Sequence, residues 1–293
     1  MARQRTESGP DGVVIVDKPA GWTSHDVVAK SRGVLGTRKV GHSGTLDPDA
    51  TGVLVLGVGK ATRLLRFLTE LPKCYVGEIV LGVETATLDA SGETTATHDM
   101  AGVADDAVRA AVAALTGPIL QIPPMVSAVK IDGKRLHQLA REGKEIERPP
   151  RAVTVHRFAV ERVAGERGVW RCEVDCSSGT YVRTLAADLG AALGGGAHLR
   201  SLRRTAVGGF TLDDAGTIEE PLLLPMTAAV DHLATVVVGP DVARTVSHGR
   251  VLAKEALGAT GDGPWAILDD DHTLLAVYKA HKGKAKPSMV VPT

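Results

Sequence analysis

The sequence predicts an α+β protein with one large domain and a small, mostly β C-terminal one. Three observations carry this reading. Strand-like and helix-like stretches do not alternate regularly, which argues against a doubly wound parallel sheet. The 293 residues exceed what one core usually fills. After about Asp231 the texture changes to short apolar pieces, at 235–238, 266–268 and 274–278, alternating with Gly and Asp.

The elements follow in order. The polar start, residues 1–12, reads as a flexible tail. Residues 13–17 form an apolar strand, stopped by Lys18-Pro19-Ala20-Gly21. Ser24 is placed to cap a helix running to about Leu35. Residues 38–52 are a loop dense in Gly and Asp, and 53–58 a buried strand. Leu64, Leu65 and Leu68 give 61–71 helical spacing, and 74–83 are β-like. Residues 104–115 are a clear amphipathic helix, with Ala104, Val108, Ala111, Val112 and Leu115 on one side. Residues 117–124 are proline-rich and irregular, and 134–141 suit a short helix. A hairpin is expected over 153–163 and 169–176, turning near Gly165. A helix over 180–193 is closed by Gly194-Gly195-Gly196, and the chain returns as strand over 199–212. The expected divisions are 1–12, 13–230 and 231–293.

The formal net charge is zero, a poor footprint for nucleic-acid binding if taken as an average. The average hides blocks. Residues 18–66 hold eight Lys or Arg against three Asp or Glu, while residues 74–108 hold seven acids and no base. Residues 130–157 hold eight bases against four acids, and the tail carries Lys279, Lys282, Lys284 and Lys286. Such blocks suit one positive and one negative face. Scattered solvated charge is the plain alternative. Cys74, Cys172 and Cys176 form no disulfide framework and fit a reducing compartment. The apolar stretch after the tail is too short for a signal peptide, and no run is long enough to span a bilayer. The expectation is a soluble, cytoplasmic protein.

The richest segment is Gly41-His42-Ser43-Gly44-Thr45-Leu46-Asp47-Pro48-Asp49-Ala50-Thr51-Gly52. Asp47 before Pro48 is held extended, and the glycines allow tight turns. The result is a stiff loop presenting one carboxylate. An EF-hand starting at Asp47 would put Val58 where a Glu belongs. A P-loop ending at Gly59-Lys60 would need Gly where Leu54 stands, and Ser or Thr in place of Ala61. An ordinary turn is the remaining alternative. In Cys176-Ser177-Ser178-Gly179-Thr180-Tyr181-Val182-Arg183, a turn leads into a helix with Arg183 in its first turn. The helix dipole opposes a cation there, so Arg183 calls for a carboxylate or phosphate partner. Tyr75, in Lys73-Cys74-Tyr75, is placed to stack on a base or to fill the core. Cys172 and Cys176 lack a second ligand pair for zinc, and His198 is isolated. There is no GxSxG elbow and no GxGxxG after the first strand.

Together these segments resemble the bacterial tRNA pseudouridine-55 synthase family, the TruB family of pseudouridine synthases. The match is ordered from Val14 to about Gly208. Lys18-Pro19-Ala20-Gly21 is similar to the family's first motif, and Gly41 to Gly52 to its catalytic motif. Gln121-Ile122-Pro123-Pro124-Met125-Val126-Ser127-Ala128-Val129-Lys130 resembles the start of an RNA-gripping insertion, here about 124–152. Val126 departs from the pattern, since relatives often carry an aromatic there. The resemblance implies a mixed, largely antiparallel catalytic sheet with a PUA-like RNA-binding C-terminal domain. It implies Asp47 as the catalytic carboxylate, Arg183 as its partner, Tyr75 stacking on the target base, and His42 supporting the vacated space. Lys18, Lys130, Arg148, Arg151 and Lys282 are the expected RNA contacts.

The implied reaction isomerises uridine 55 of the tRNA T loop to pseudouridine. It breaks the bond from ribose C1′ to N1, turns the base, and bonds C5 to C1′. No redox step occurs, so no cofactor and no metal are expected. A stacked base must first be flipped out. The expected partner is the T arm of tRNA, with no membrane and no obligatory protein partner for a monomer. The competing class is a non-catalytic RNA-binding protein that helps tRNA fold; it requires neither Asp47 nor Arg183. A ribosomal structural protein would be more basic.

Overall fold

The computed structural model describes residues 9–100, 102–125, 130–131, 134–135 and 146–292. Its main element is a ten-stranded sheet, mixed but largely antiparallel. The central path runs Leu223–Leu224, Gly12–Lys18, Thr51–Val58, Ala197–Val207, Lys73–Leu81, Val169–Cys176, Arg151–Arg162, Gly117–Gln121. Among the described residues of this sheet, only the strands Thr51–Val58 and Ala197–Val207 pair in parallel. Gly12–Lys18 and Thr51–Val58 are buried on both faces, so they read as apolar runs rather than alternations. Val13 and Ile15 join Val53 and Val55 in one cluster, while Val14 and Val16 join Leu54, Leu56 and Val27 on the other face. The helices Asp105–Ala114 and Val182–Ala192 cover the far half of the sheet through Val108, Val112, Leu185 and Leu189.

Several local expectations shift. The Ser24–Val34 helix is capped by Thr23, not Ser24: Thr23 and Asp26 form a reciprocal capping box. Ser24 is buried and serves the functional loop instead. The 61–71 stretch divides into a 3-10 turn, Gly59–Arg63, and a short helix, Leu65–Thr69. Residues 117–121, expected irregular because of Pro118, are the sheet's edge strand, where a missing N–H is tolerated. The hairpin over Arg151–Arg162 and Val169–Cys176 pairs as expected. Lys134–Arg135 pairs with Lys130–Ile131 as strand rather than opening a helix, and residues 136–141 lie outside the described residues. So do residues 1–8 of the expected tail. Asp11, counted with that tail, accepts a hydrogen bond from Lys60 N at 2.6 Å.

A second, five-stranded sheet spans Ala234–Val237, Trp265–Leu268, Leu274–His281, Lys284–Val290 and Leu252–Ala253 in that spatial order. It packs on the first. Ala266, Leu268, Leu274, Val277 and Met289 share a cluster with Val13, Ile15, Val53 and Val55. Arg63 and Arg66 tie the seam by donating to the carbonyls of Val290 and Ser288.

Candidate active site

The loop between His42 and Thr51 has few backbone bonds of its own and is braced by side chains. Ser24 Oγ accepts from Leu46 N at 2.9 Å and donates to Leu46 O at 3.2 Å, doing what a strand neighbour would do. The Lys18 ammonium donates to the carbonyls of Pro19, Trp22 and Pro48 at 2.7–2.9 Å. The Arg204 guanidinium donates Nε to Val53 O at 2.7 Å, Nη2 to Gly44 O at 3.2 Å and Nη1 to Thr45 O at 3.4 Å. One buried side chain therefore grips the loop on both sides of Asp47. Gly52 allows this closeness: its φ is +102°, and a Cβ there would sit 2.1 Å from Arg204 O.

Asp47 emerges from this brace into a cleft of about 250 Å³, with room for one pyrimidine ring. Tyr75, Lys73, Tyr181, Arg183 and Arg204 line it too. Arg183 meets Asp47 with two prongs, Nε to Oδ2 at 3.0 Å and Nη2 to Oδ1 at 3.3 Å. Its Nη1 donates to Asp89 Oδ2 and to Thr87 O, both at 3.2 Å. Asp89 is fixed in turn by Thr87 Oγ1, Ser91 Oγ and Ser91 N on its other oxygen. The cation at a helix start thus has two carboxylate partners, the expected Asp47 and also Asp89. Gln121 holds the start of the same helix, accepting from Tyr181 N at 2.9 Å and donating to Tyr181 O at 3.2 Å.

The charges are shifted by this crowding. Burial pushes the Asp47 carboxyl above the usual aspartate value, and Arg183 pulls it back down. Burial lowers Lys18 to about 8, against the pull of Asp49 and Asp47. Burial raises the Tyr75 phenol, while the nearby Arg204 charge lowers it. His42 falls to about 4, chiefly by burial and then by His25, whose ring packs edge-on at 5.3 Å. Its Nδ1 is buried without a partner among the described residues.

The expected residues divide accordingly. Asp47, Arg183 and Tyr75 come together in the cleft, while His42 lies outside its lining, against His25. Lys18 is corrected: it is fully buried and its ammonium is filled by three carbonyls, so it braces the loop and is not a surface phosphate contact. Arg148 is half-buried and donates to Pro123 O at 3.0 Å, whereas Arg151 and Lys282 are exposed. The side chain of Lys130 lies outside the described residues. Sequence reasoning passed over Ser24 as a loop brace, Lys73, Asp89, Gln121 and Arg204. The one signal for Arg204 was a second arginine beside Arg203 in a strand, where alternation sends one of the pair inward. Among the described residues no group of three or more His, Cys, Asp or Glu is arranged to hold a metal.

Residues 32–182 match the family model described as TruB family pseudouridylate synthase (N terminal domain), and residues 183–231 match tRNA pseudouridylate synthase B C-terminal domain. The chain is similar to a tRNA pseudouridine synthase B of Arthrobacter sp. (strain FB24), 49% identical over 95% of this chain and 96% of the relative. It is 50% identical to another from Rhodococcus jostii (strain RHA1), over 99% and 97%.

The chain belongs to the TruB family of pseudouridylate synthases.

It also resembles a chain in the structure of an H/ACA RNP bound to a substrate RNA containing 2′-deoxyuridine. That match has a TM-score of 0.72 and 27% identity, covering 96% of this chain and 85% of the other. This family member keeps the pseudouridine-synthase fold in its mixed sheet. The boundary between the two family models, at 182/183, falls at the start of the helix that carries Arg183, so the cleft is assembled from both segments.

Proposed function

We propose that this protein converts uridine 55 in the T loop of tRNA to pseudouridine, with Asp47 as the catalytic carboxylate. The observation that carries the reading is the Asp47 carboxylate, bound on both oxygens by Arg183 and set beside Tyr75 in a cleft of single-base size. A binding protein has no need for a partly buried carboxylate gripped on both oxygens by a buried arginine. The flipped uridine enters the cleft, Tyr75 packs on its ring, and Asp47 acts beside the glycosidic bond. Arg183 keeps Asp47 ionised and aimed, and Asp89 holds Arg183. Every group the reaction needs comes from the chain, so no cofactor is invoked. His42, close to the loop yet outside the cleft, supports the site that the base leaves.

Around this centre, the exposed Arg151 and Lys282 contact phosphates, with Lys130 and the root held by Arg148. The protein works as a cytoplasmic monomer without an obligatory protein partner. No helix among the described residues is long and apolar enough to cross a membrane. Residues 13–230 act as the catalytic unit, with an RNA-gripping insertion at about 124–152, and 231–293 as a PUA-like RNA-binding unit. The test is incubation of the purified chain with unmodified tRNA, followed by mapping of pseudouridine. Modification of uridine 55 that disappears in Asp47→Asn, with tRNA binding retained, is the expected result. A folded, tRNA-binding Asp47→Asn protein that modifies at a near-normal rate would overturn it.

A further inference from the structure

The cleft carries more positive charge than the Asp47–Arg183 pair explains. Lys73 is 6% exposed and Arg204 2%, and both line the cleft. Lys73 Nζ donates to the carbonyls of Thr69 and Leu71, both at 2.6 Å. Arg204 donates to the carbonyls of Val53, Gly44 and Thr45. All these acceptors are neutral. The carboxylates of the site, Asp47 and Asp89, are engaged by Arg183. Lys73 has three N–H donors and spends two on the backbone. Burial lowers it to about 8, with Arg204 pushing the same way and Cys176 opposing. It is therefore mostly charged at neutral pH. Two buried cations held side by side on neutral partners are costly, and such an arrangement suits a place where negative charge arrives.

The proposed reaction generates that charge. When the C1′–N1 bond breaks, its electron pair stays with the uracil ring and spreads onto O2 and O4. If a nucleophile adds at C6 instead, the ring again takes up negative charge, at O4. In both cases C5 then bonds to C1′, the C5 proton leaves and N1 gains a proton, so the sum is an isomerisation with no co-reactant. We propose that Lys73 and Arg204 form an anion-stabilising floor that holds the uracil ring while it is detached from the ribose. They are catalytic residues that touch the base, while Asp47 works at the opposite side of the bond. This rests on the reading of the cleft as a pseudouridylation site.

A role confined to bracing needs hydrogen-bond donors but no charge, and the leaving base reports the difference. Lys73→Gln keeps two donors and removes the charge, and Lys73→Met removes both. Single-turnover rates are measured on tRNA transcripts carrying uridine and on transcripts carrying 5-fluorouridine. The fluorinated base is the more acidic and the better anionic leaving group. Lys73→Gln should slow uridine turnover by about a hundredfold, as loss of one oxyanion donor does. Its loss on consumption of 5-fluorouridine should be several-fold smaller, with tRNA affinity unchanged in both cases. Lys73→Arg should recover part of the rate. Equal losses on the two substrates, or a near-normal Lys73→Gln rate, would overturn the assignment. If Lys73→Met does not fold, Lys73→Gln alone decides. Failure of the unsubstituted protein to make pseudouridine would instead strike the proposed function.

Discussion

Asp47 sits between two opposing influences, a desolvating cleft that raises its pKa and Arg183 that lowers it. A reaction that needs the ionised form must then fade, as pH falls, at a higher pH than an ordinary aspartate would give. Arg183→Gln removes the lowering influence, so its acid limb should move to still higher pH; an unmoved limb in single-turnover profiles would break the link. Arg183→Lys keeps charge but loses the fork, and should slow turnover about a hundredfold through misplacement alone, with affinity unchanged. His42 gives a stability prediction of defined sign. Its folded pKa of about 4 lies below the 6.5 of the unfolded chain. The unfolded chain therefore binds more protons between those values, so stability is intact above 6.5 and declines as pH falls towards 4. The loss is about 3 kcal/mol at most, at about 1.4 kcal/mol per unit. Urea titrations at pH 7 and pH 4.5 check it: His42→Leu should lose less on acidification than the unsubstituted chain.

At the scale of elements, the loop that presents Asp47 is shaped by groups outside it. Thr23 and Ser24 are chain neighbours with different jobs, and this makes a matched pair of tests. Thr23→Ala removes a helix cap and should cost about 1 kcal/mol with no change in rate. Ser24→Ala leaves both the N–H and the carbonyl of buried Leu46 unpaired, which should cost about 2 kcal/mol and also slow turnover, because Leu46 precedes Asp47. Chemical denaturation beside single-turnover rates reads both. Equal rates in the two variants would mean that the loop holds its shape without Ser24. Gly52 follows the same logic, since no side chain fits its φ of +102° against Arg204 O.

At the scale of the whole molecule, the two sheets share one apolar cluster. Removing residues from about Asp231 onward would take Ala266, Leu268, Leu274, Val277 and Met289 out of that cluster, so truncation tests folding as much as binding. Charge neutralisation is cleaner. Lys279 and Lys286 are cross-strand partners and Lys284 opens the strand that carries Lys286, all exposed, with Lys282 at the turn between. Replacing these four with Gln should lower the slope of log affinity against log salt by about one unit per lost phosphate contact. Single-turnover rates at saturating enzyme should hold. An unchanged slope would mean that these charges are only solvated. Arg151→Gln should behave the same way. Arg148→Gln should instead cost stability, because its guanidinium is tied to Pro123 O.

What the sequence determined by itself was whatever is local in cause. Apolar runs fixed the Gly12–Lys18 and Thr51–Val58 strands, a 3.6-residue period fixed the Asp105–Ala114 helix, and the Asp-Pro step among glycines marked the loop that presents Asp47. The dipole argument required an anionic partner for Arg183 without saying which. Tertiary structure decided everything that depends on residues far apart in the chain. Asp89 was legible only as one acid in an acidic block, until folding set it 3.2 Å from Arg183. Lys18 and Arg204 carry charges that solubility reasoning sends outward. They turn inward because distant loop carbonyls converge on them, and buried backbone acceptors must be satisfied by some donor. Periodicity and propensity describe how a segment behaves along itself. The electrostatics of this cleft belong to the meeting of segments up to 160 residues apart in the chain, as in the contact of Arg204 with Gly44, which no local pattern encodes.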